Sequence, residues 1–222
     1  MKLSEVMDEL KALGNEKLRE MNSRHGITGD QFGIKMGDLR VIAKKIKVDM
    51  PLARELWKTG NFEAMMLSTL IVRPKDFTTE ELETMVKSVT TSQLADWLMS
   101  YVVKGHPEKE SLRTKWMASS DSVMASRAGW SLTAERINKD PEGIDLKATL
   151  DRIEREMLTV PEPVQWTMNY CLAGIGSNFP EYRKRATDIG EKLGVFRDYP
   201  TPKGCTSPFA PLWIDAMVKR QA

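Results

Sequence analysis

Apolar residues return every three or four positions along almost the whole chain. Nowhere do they alternate with polar residues over a strand-length run bounded by hairpin turns, so the pattern predicts helices throughout. The spacing places them at 3–22, 38–47, 51–58, 61–72, 79–89, 92–104, 108–118, 121–138, 145–158, 163–177, 181–193 and 211–220. Thr78 with Glu81, and Thr90 with Gln93, have the spacing of a capping box. Pro107 and Pro180 suit a first helical turn, where a missing N–H costs little. Gly60, Gly105 and Gly194 fall near predicted helix ends, where left-handed backbone is cheap for glycine.

Very short connections force neighbouring helices antiparallel. The pairs 51–58/61–72, 79–89/92–104, 108–118/121–138 and 145–158/163–177 recur roughly every 30 to 40 residues, a period of HEAT-like arrays. The expected fold class is therefore an all-α, HEAT-like helical-repeat solenoid, curved with a concave face. It is read as one domain over 1–222, with capping helices at 1–48, helix-pair repeats at 49–194 and a C-terminal cap at 195–222. The second helix of each pair is richer in Met, Trp, Ala and Ser, and the first in Glu and Lys. The second helices are thus expected to line the inner face.

Composition narrows the function classes. Hydrophobic residues make up 41% and charged residues 29% of the 222, as in globular rather than disordered chains. No apolar run is long enough to span a bilayer, and the charged N-terminus "MKLSEVMDELKALG" lacks signal-peptide character. A cytoplasmic protein is expected, without membrane partners. Two Cys and two His, widely scattered, match no zinc spacing. Cys171 and Cys205 are expected as reduced, buried thiols. The net charge of +2 does not itself mark a polyanion binder, because local clustering matters more than the total. Clusters exist at "KKIK" (44–47), at "YRKR" (182–185), and at Lys35 and Arg40. Each is equally well read as a solvated helix face.

Three second helices carry residues that ask for an explanation. In "TSQLADWLMSYVVKG", Asp96 shares a stripe with Ser92 and Ser100, against apolar Leu94, Leu98, Tyr101 and Val102. In "SVMASRAGWSL", Arg127 sits among small residues, with Met124 and Trp130 three positions away on either side. In "PVQWTMNYCLAGIG", Trp166 and Tyr170 stack at four-residue spacing. An internal ion pair with ordinary core aromatics is one reading. An aromatic-lined groove for a cationic, planar ligand flanked by phosphates is the other.

The stretches "FGIKMGDLRVIAKKI" (32–46), "ELWKTGNFEAMMLSTLIV" (55–72), "DWLMSYVVKGHPE" (96–108), "KWMASSDSVMASRAGWSL" (115–132) and, more loosely, "VQWTMNYCLAGIG" (164–176) resemble the DNA alkylation repair family of HEAT-like-repeat DNA glycosylases, the AlkD-type proteins. The resemblance implies excision of cationic N3- or N7-alkylated purines by an aspartate, an arginine and two tryptophans on a DNA-binding face. The aspartate matches Asp96 and the arginine Arg127. The first tryptophan falls on Ser92, a departure; Trp97, beside Asp96, points about 100° away around the helix. The second falls on Tyr170, with Trp166 one turn earlier.

The implied roles follow from these matches. Asp96 would stabilise an oxocarbenium-like sugar and position water, and Arg127 would hold a phosphate beside the lesion. Trp97, Trp130, Trp166 and Tyr170 would contact base or sugar. Lys35, Arg40, Lys44, Lys45, Arg183 and Lys184 would bind phosphates of double-stranded DNA. No metal or organic cofactor is required, and a monomer is expected. Asp96 and Arg127 are expected on one concave surface, both reached by solvent. Three functions stay open on these grounds: an alkylpurine DNA glycosylase, a non-catalytic relative that recognises distorted or branched DNA, and a protein-interaction scaffold.

Overall fold

The computed structural model describes residues 1–221. It is 70% helical, with no strand among the described residues. The helices are α1 (Leu3–Ala12), α2 (Glu16–Arg24), α3 (Met36–Ile46), α4 (Met50–Lys58), α5 (Phe62–Leu70), α6 (Thr79–Ser88), α7 (Ser92–Tyr101), α8 (Lys109–Met117), α9 (Val123–Lys139), α10 (Leu146–Glu156), α11 (Glu162–Asn178), α12 (Pro180–Leu193) and α13 (Ala210–Gln221). Two compact units divide the chain, Met1–Lys109 and Glu110–Ala222. The division falls inside the stretch read from sequence as one repeat array.

Most boundaries follow local chemistry. The Thr78–Glu81 capping box forms and opens α6, and Pro180 is the first residue of α12. Gly194 closes α12 in the left-handed region, at φ 65°. Three expectations are corrected. The helix expected over 3–22 breaks into α1 and α2, because the Asn15 N–H is drawn to the carbonyls of Phe32 and Gly33 and its side chain caps Leu18 N. The cap of α7 is Thr91, whose hydroxyl accepts from Leu94 N, rather than Thr90. Pro107 lies in the turn before α8, not in its first turn.

In the first unit, α5 is the central element. Every residue from Phe62 to Thr69 is buried, and α3, α4 and α7 pack around it. Its Glu63 is 0% exposed. That carboxylate accepts N–H bonds from Phe32 at 2.8 Å, Gly33 at 2.8 Å and Ile34 at 3.2 Å. A buried charge needs such bonds to persist. Three convergent donors therefore tie the loop that delivers α3 to the core. Gly33 permits this loop, since its φ of 76° is open to glycine and a Cβ there would run into the Asn15 carbonyl and Arg19.

In the second unit, α11 packs against α9, α10, α12 and α13. Small residues make the close approaches possible. A Cβ on Gly129 would lie 2.7 Å from the Met117 nitrogen and from the Trp116 carbonyl carbon, closer than packed atoms approach. This accounts for the glycine two residues after Arg127. It brings α9 onto the end of α8.

Among the second helices of the pairs, α5, α9 and α11 keep little exposed surface. Their residues are mostly core. Only α7 keeps a long open stripe. The expectation of two buried thiols is also corrected. Both cysteines are free, with Cys171 buried and Cys205 exposed.

Candidate nucleic-acid interface

On α7, Leu94, Ala95, Leu98 and Met99 turn into the core, while Ser92, Asp96, Ser100 and Tyr101 are exposed. The stripe of Asp96 with two serines is thus open, as its four-residue spacing suggested. Ser92 offers a hydroxyl, so no ring of α7 stands one turn before the carboxylate.

Trp97 faces a different way. Its indole N–H donates to the Met66 carbonyl at 3.1 Å, which fixes the ring against α5. The Arg40 guanidinium lies 4.9 Å from the ring centroid and donates to the Tyr101 hydroxyl at 3.1 Å. Trp97 and Tyr101, four residues apart, hold their ring centroids 4.8 Å apart at 45°. Tyr101, expected on the apolar side, is 38% exposed. Its signal in the sequence was the four-residue aromatic spacing beside the polar stripe.

Along α3, Lys35, Arg40, Lys44 and Lys45 are all exposed. Lys45 is paired with Glu9 at 2.6 Å.

In the second unit the expected site residues meet other fates. Arg127 is 1% exposed, so the expected solvent access is absent. Trp130 is also 1% exposed. Its ring carries the Arg152 guanidinium 5.1 Å from its centroid, and its carbonyl accepts from the Cys171 thiol at 3.4 Å. It is a core residue rather than a surface for a base. Burial pushes the Cys171 thiol far above the ordinary thiol range.

Trp166 and Tyr170 are half-buried. The Trp166 indole donates to the Tyr170 hydroxyl at 2.9 Å. The C-terminal cap then covers both. Phe196 and Tyr199 lie 5.0 and 5.4 Å from Trp166, and Trp213 lies 5.3 Å from Tyr170, centroid to centroid. Sequence spacing could not anticipate these rings, because they arrive from a distant segment. Arg183 donates to the carbonyls of Gly176 and Ser177 at 3.1 and 3.3 Å. It thereby satisfies carbonyls at the end of α11 that have no helical partner. Lys184 pairs with Asp188 at 2.7 Å.

Among the described residues, no group of three or more His, Cys, Asp or Glu could hold a metal ion. Nor is any helix among them long and apolar enough to cross a membrane.

No curated protein matches the sequence. A solved structure described as "a new family of proteins related to the HEAT-like repeat DNA glycosylases with affinity for branched DNA structures" superposes with a TM-score of 0.80 at 25% identity, over 100% of this chain and 95% of that one. The fold is accordingly a HEAT-like helical repeat. The family model for the DNA alkylation repair enzyme matches residues 6–192, a span that holds α2 to α11 in full, and the chain belongs to that family.

Proposed function

We propose that this protein binds DNA through the α3–α7 face of its first unit and recognises branched or distorted DNA without excising a base. One observation carries this reading. Asp96 is exposed and has a serine, Ser92, one turn before it, where an aromatic wall would grip an extruded base, while exposed cations line α3 in the same unit. Trp130 is in the core, and the rings of Trp166 and Tyr170 are engaged by the cap. A base held out of the stack needs flat surfaces on which to rest. Phosphate contacts need only accessible cations. The structural relative's affinity for branched DNA favours the same reading.

Lys35, Arg40 and Lys44 are the cations proposed to hold phosphates. The test is affinity for a four-way junction and for a linear duplex across a salt series. Tighter junction binding that weakens steeply with salt supports the reading. Binding that salt does not change, or no binding at low salt, sinks it in favour of a protein-interaction scaffold.

A second reading keeps base excision, favoured by the exposed Asp96. A cationic alkylpurine is already a good leaving group, so one carboxylate near the sugar could stabilise the developing oxocarbenium charge. Release of 3- or 7-methylpurine from methylated duplex, lost in Asp96→Asn with DNA affinity retained, would establish it.

A further inference from the structure

We infer that Arg40, Trp97 and Tyr101 form a clamp for an unpaired nucleotide of branched DNA, in which the Tyr101 ring stacks on the base and Arg40 holds the adjoining phosphate. This rests on the DNA-binding reading above and names the ligand of that face.

The argument begins with how Arg40 is held. Its guanidinium is fixed over the Trp97 ring at 4.9 Å, by the Tyr101 hydroxyl at 3.1 Å and by the Met36 carbonyl at 3.5 Å. Trp97 is itself anchored through Met66. None of these partners carries a negative charge. Several other arginines are held by carboxylates: Arg54 by Glu81, Arg113 and Arg136 by Glu110, Arg152 by Glu156, Arg185 by Asp151. Among the described residues, no carboxylate pairs with Arg40. A cation that is already ordered but not neutralised binds a phosphate with little further loss of side-chain freedom, and its planar fork suits two phosphate oxygens. Lys44, one turn along α3, is exposed and also lacks a paired carboxylate among the described residues, so the positive charge continues along the helix.

The rings select the kind of nucleotide. Tyr101 is tilted 45° against Trp97, so the two rings do not cover each other as a flat stack would, and 38% of the residue stays exposed. In a paired duplex each base face is covered by its neighbour. A free base face exists where strands part, and aromatic side chains take it without regard to sequence. A guanidinium beside an open ring therefore suits a branch point better than an unbroken duplex.

The test uses the full chain, with a forked duplex bearing unpaired arms and a fully paired duplex of equal length. Tyr101→Ala is expected to weaken fork binding about tenfold while paired-duplex affinity stays within about twofold. Tyr101→Phe should keep the fork preference. Arg40→Gln should weaken both and reduce the slope of log affinity against log salt by about one, a change that a purely structural role would not produce. Melting curves check folding. If Tyr101→Ala is unstable, Tyr101→Leu replaces it, filling the space without an aromatic face.

Equal loss on fork and duplex for Tyr101→Ala, no loss on either, or an unchanged salt slope for Arg40→Gln would overturn the clamp. If the native chain prefers the branched substrate but Tyr101→Ala preserves that preference, the clamp fails alone. If the native chain binds neither DNA, the DNA-binding reading fails and the clamp with it.

Discussion

Helices α7 and α11 have similar sequence signatures and opposite fates. Both carry a Trp–Tyr pair four residues apart, Trp97/Tyr101 and Trp166/Tyr170, and both donate the indole N–H to a nearby oxygen. On α11 the C-terminal segment folds back and supplies Phe196, Tyr199 and Trp213, so the pair becomes part of a larger, half-buried aromatic cluster. On α7 no further ring among the described residues joins the pair, which holds an exposed arginine instead. The same local pattern therefore yields structure in one unit and a candidate interface in the other. What distinguishes them is whether distant chain arrives to pack on the rings, since aromatic pairs gain energy from such contacts.

Substitutions can break this comparison. The largest effect is expected in the core of the second unit. Trp130→Ala should cost about 3–5 kcal/mol of stability with no change in DNA affinity per folded molecule. Urea denaturation combined with binding measured on the folded fraction checks both parts, and a selective loss of affinity would return Trp130 to the interface. Next is Glu63→Ala, which leaves three loop N–H donors without their acceptor and is expected to cost roughly 3 kcal/mol. It should also weaken DNA binding, because the loop that delivers α3 loses its tie. Hydrogen exchange at Phe32, Gly33 and Ile34 is the direct readout.

Arg183 and Lys44 then form a matched pair of opposite character. Arg183→Ala should cost about 1–2 kcal/mol by exposing the last carbonyls of α11 and leave DNA affinity nearly unchanged. Lys44→Glu should leave stability within about 0.5 kcal/mol and weaken DNA binding in a salt-dependent way. The reverse outcome would move the interface to the second unit.

The smallest effect concerns acid. The Glu110 carboxyl is held below the usual range by hydrogen bonding to Arg113 and, after it, to Arg136, against the opposing pull of desolvation. Its folded pKa is depressed, so its contribution is complete above the ordinary carboxylate range and is lost as pH falls through the lowered value. Half of the side chain is exposed, and solvent screening keeps the term below about 1 kcal/mol. Glu110→Gln should therefore make the fall in melting temperature between neutral and acid pH slightly shallower, as calorimetry across pH would show.

The sequence by itself determined the helical class, nearly every helix to within about three residues at each end and the exposed Asp96 stripe, because each depends on chemistry within a few residues. Apolar spacing decides which face of a helix is buried, and Thr78 with Glu81 closes a cap wherever the chain goes afterwards. The first break, at Gly14 and Asn15, needed tertiary structure, because the competing hydrogen-bond acceptors come from Phe32 and Gly33. Tertiary structure also decided that Arg127 and Trp130 are enclosed, since helical spacing says only that they share a face and not what covers it. It decided that Arg183 caps α11 and that Lys45 meets Glu9, whereas in sequence both are members of basic clusters. And it brought Arg40 to Trp97 and, across 61 positions of chain, to Tyr101, a meeting that no local pattern records because contacts between distant segments depend on how the helices pack.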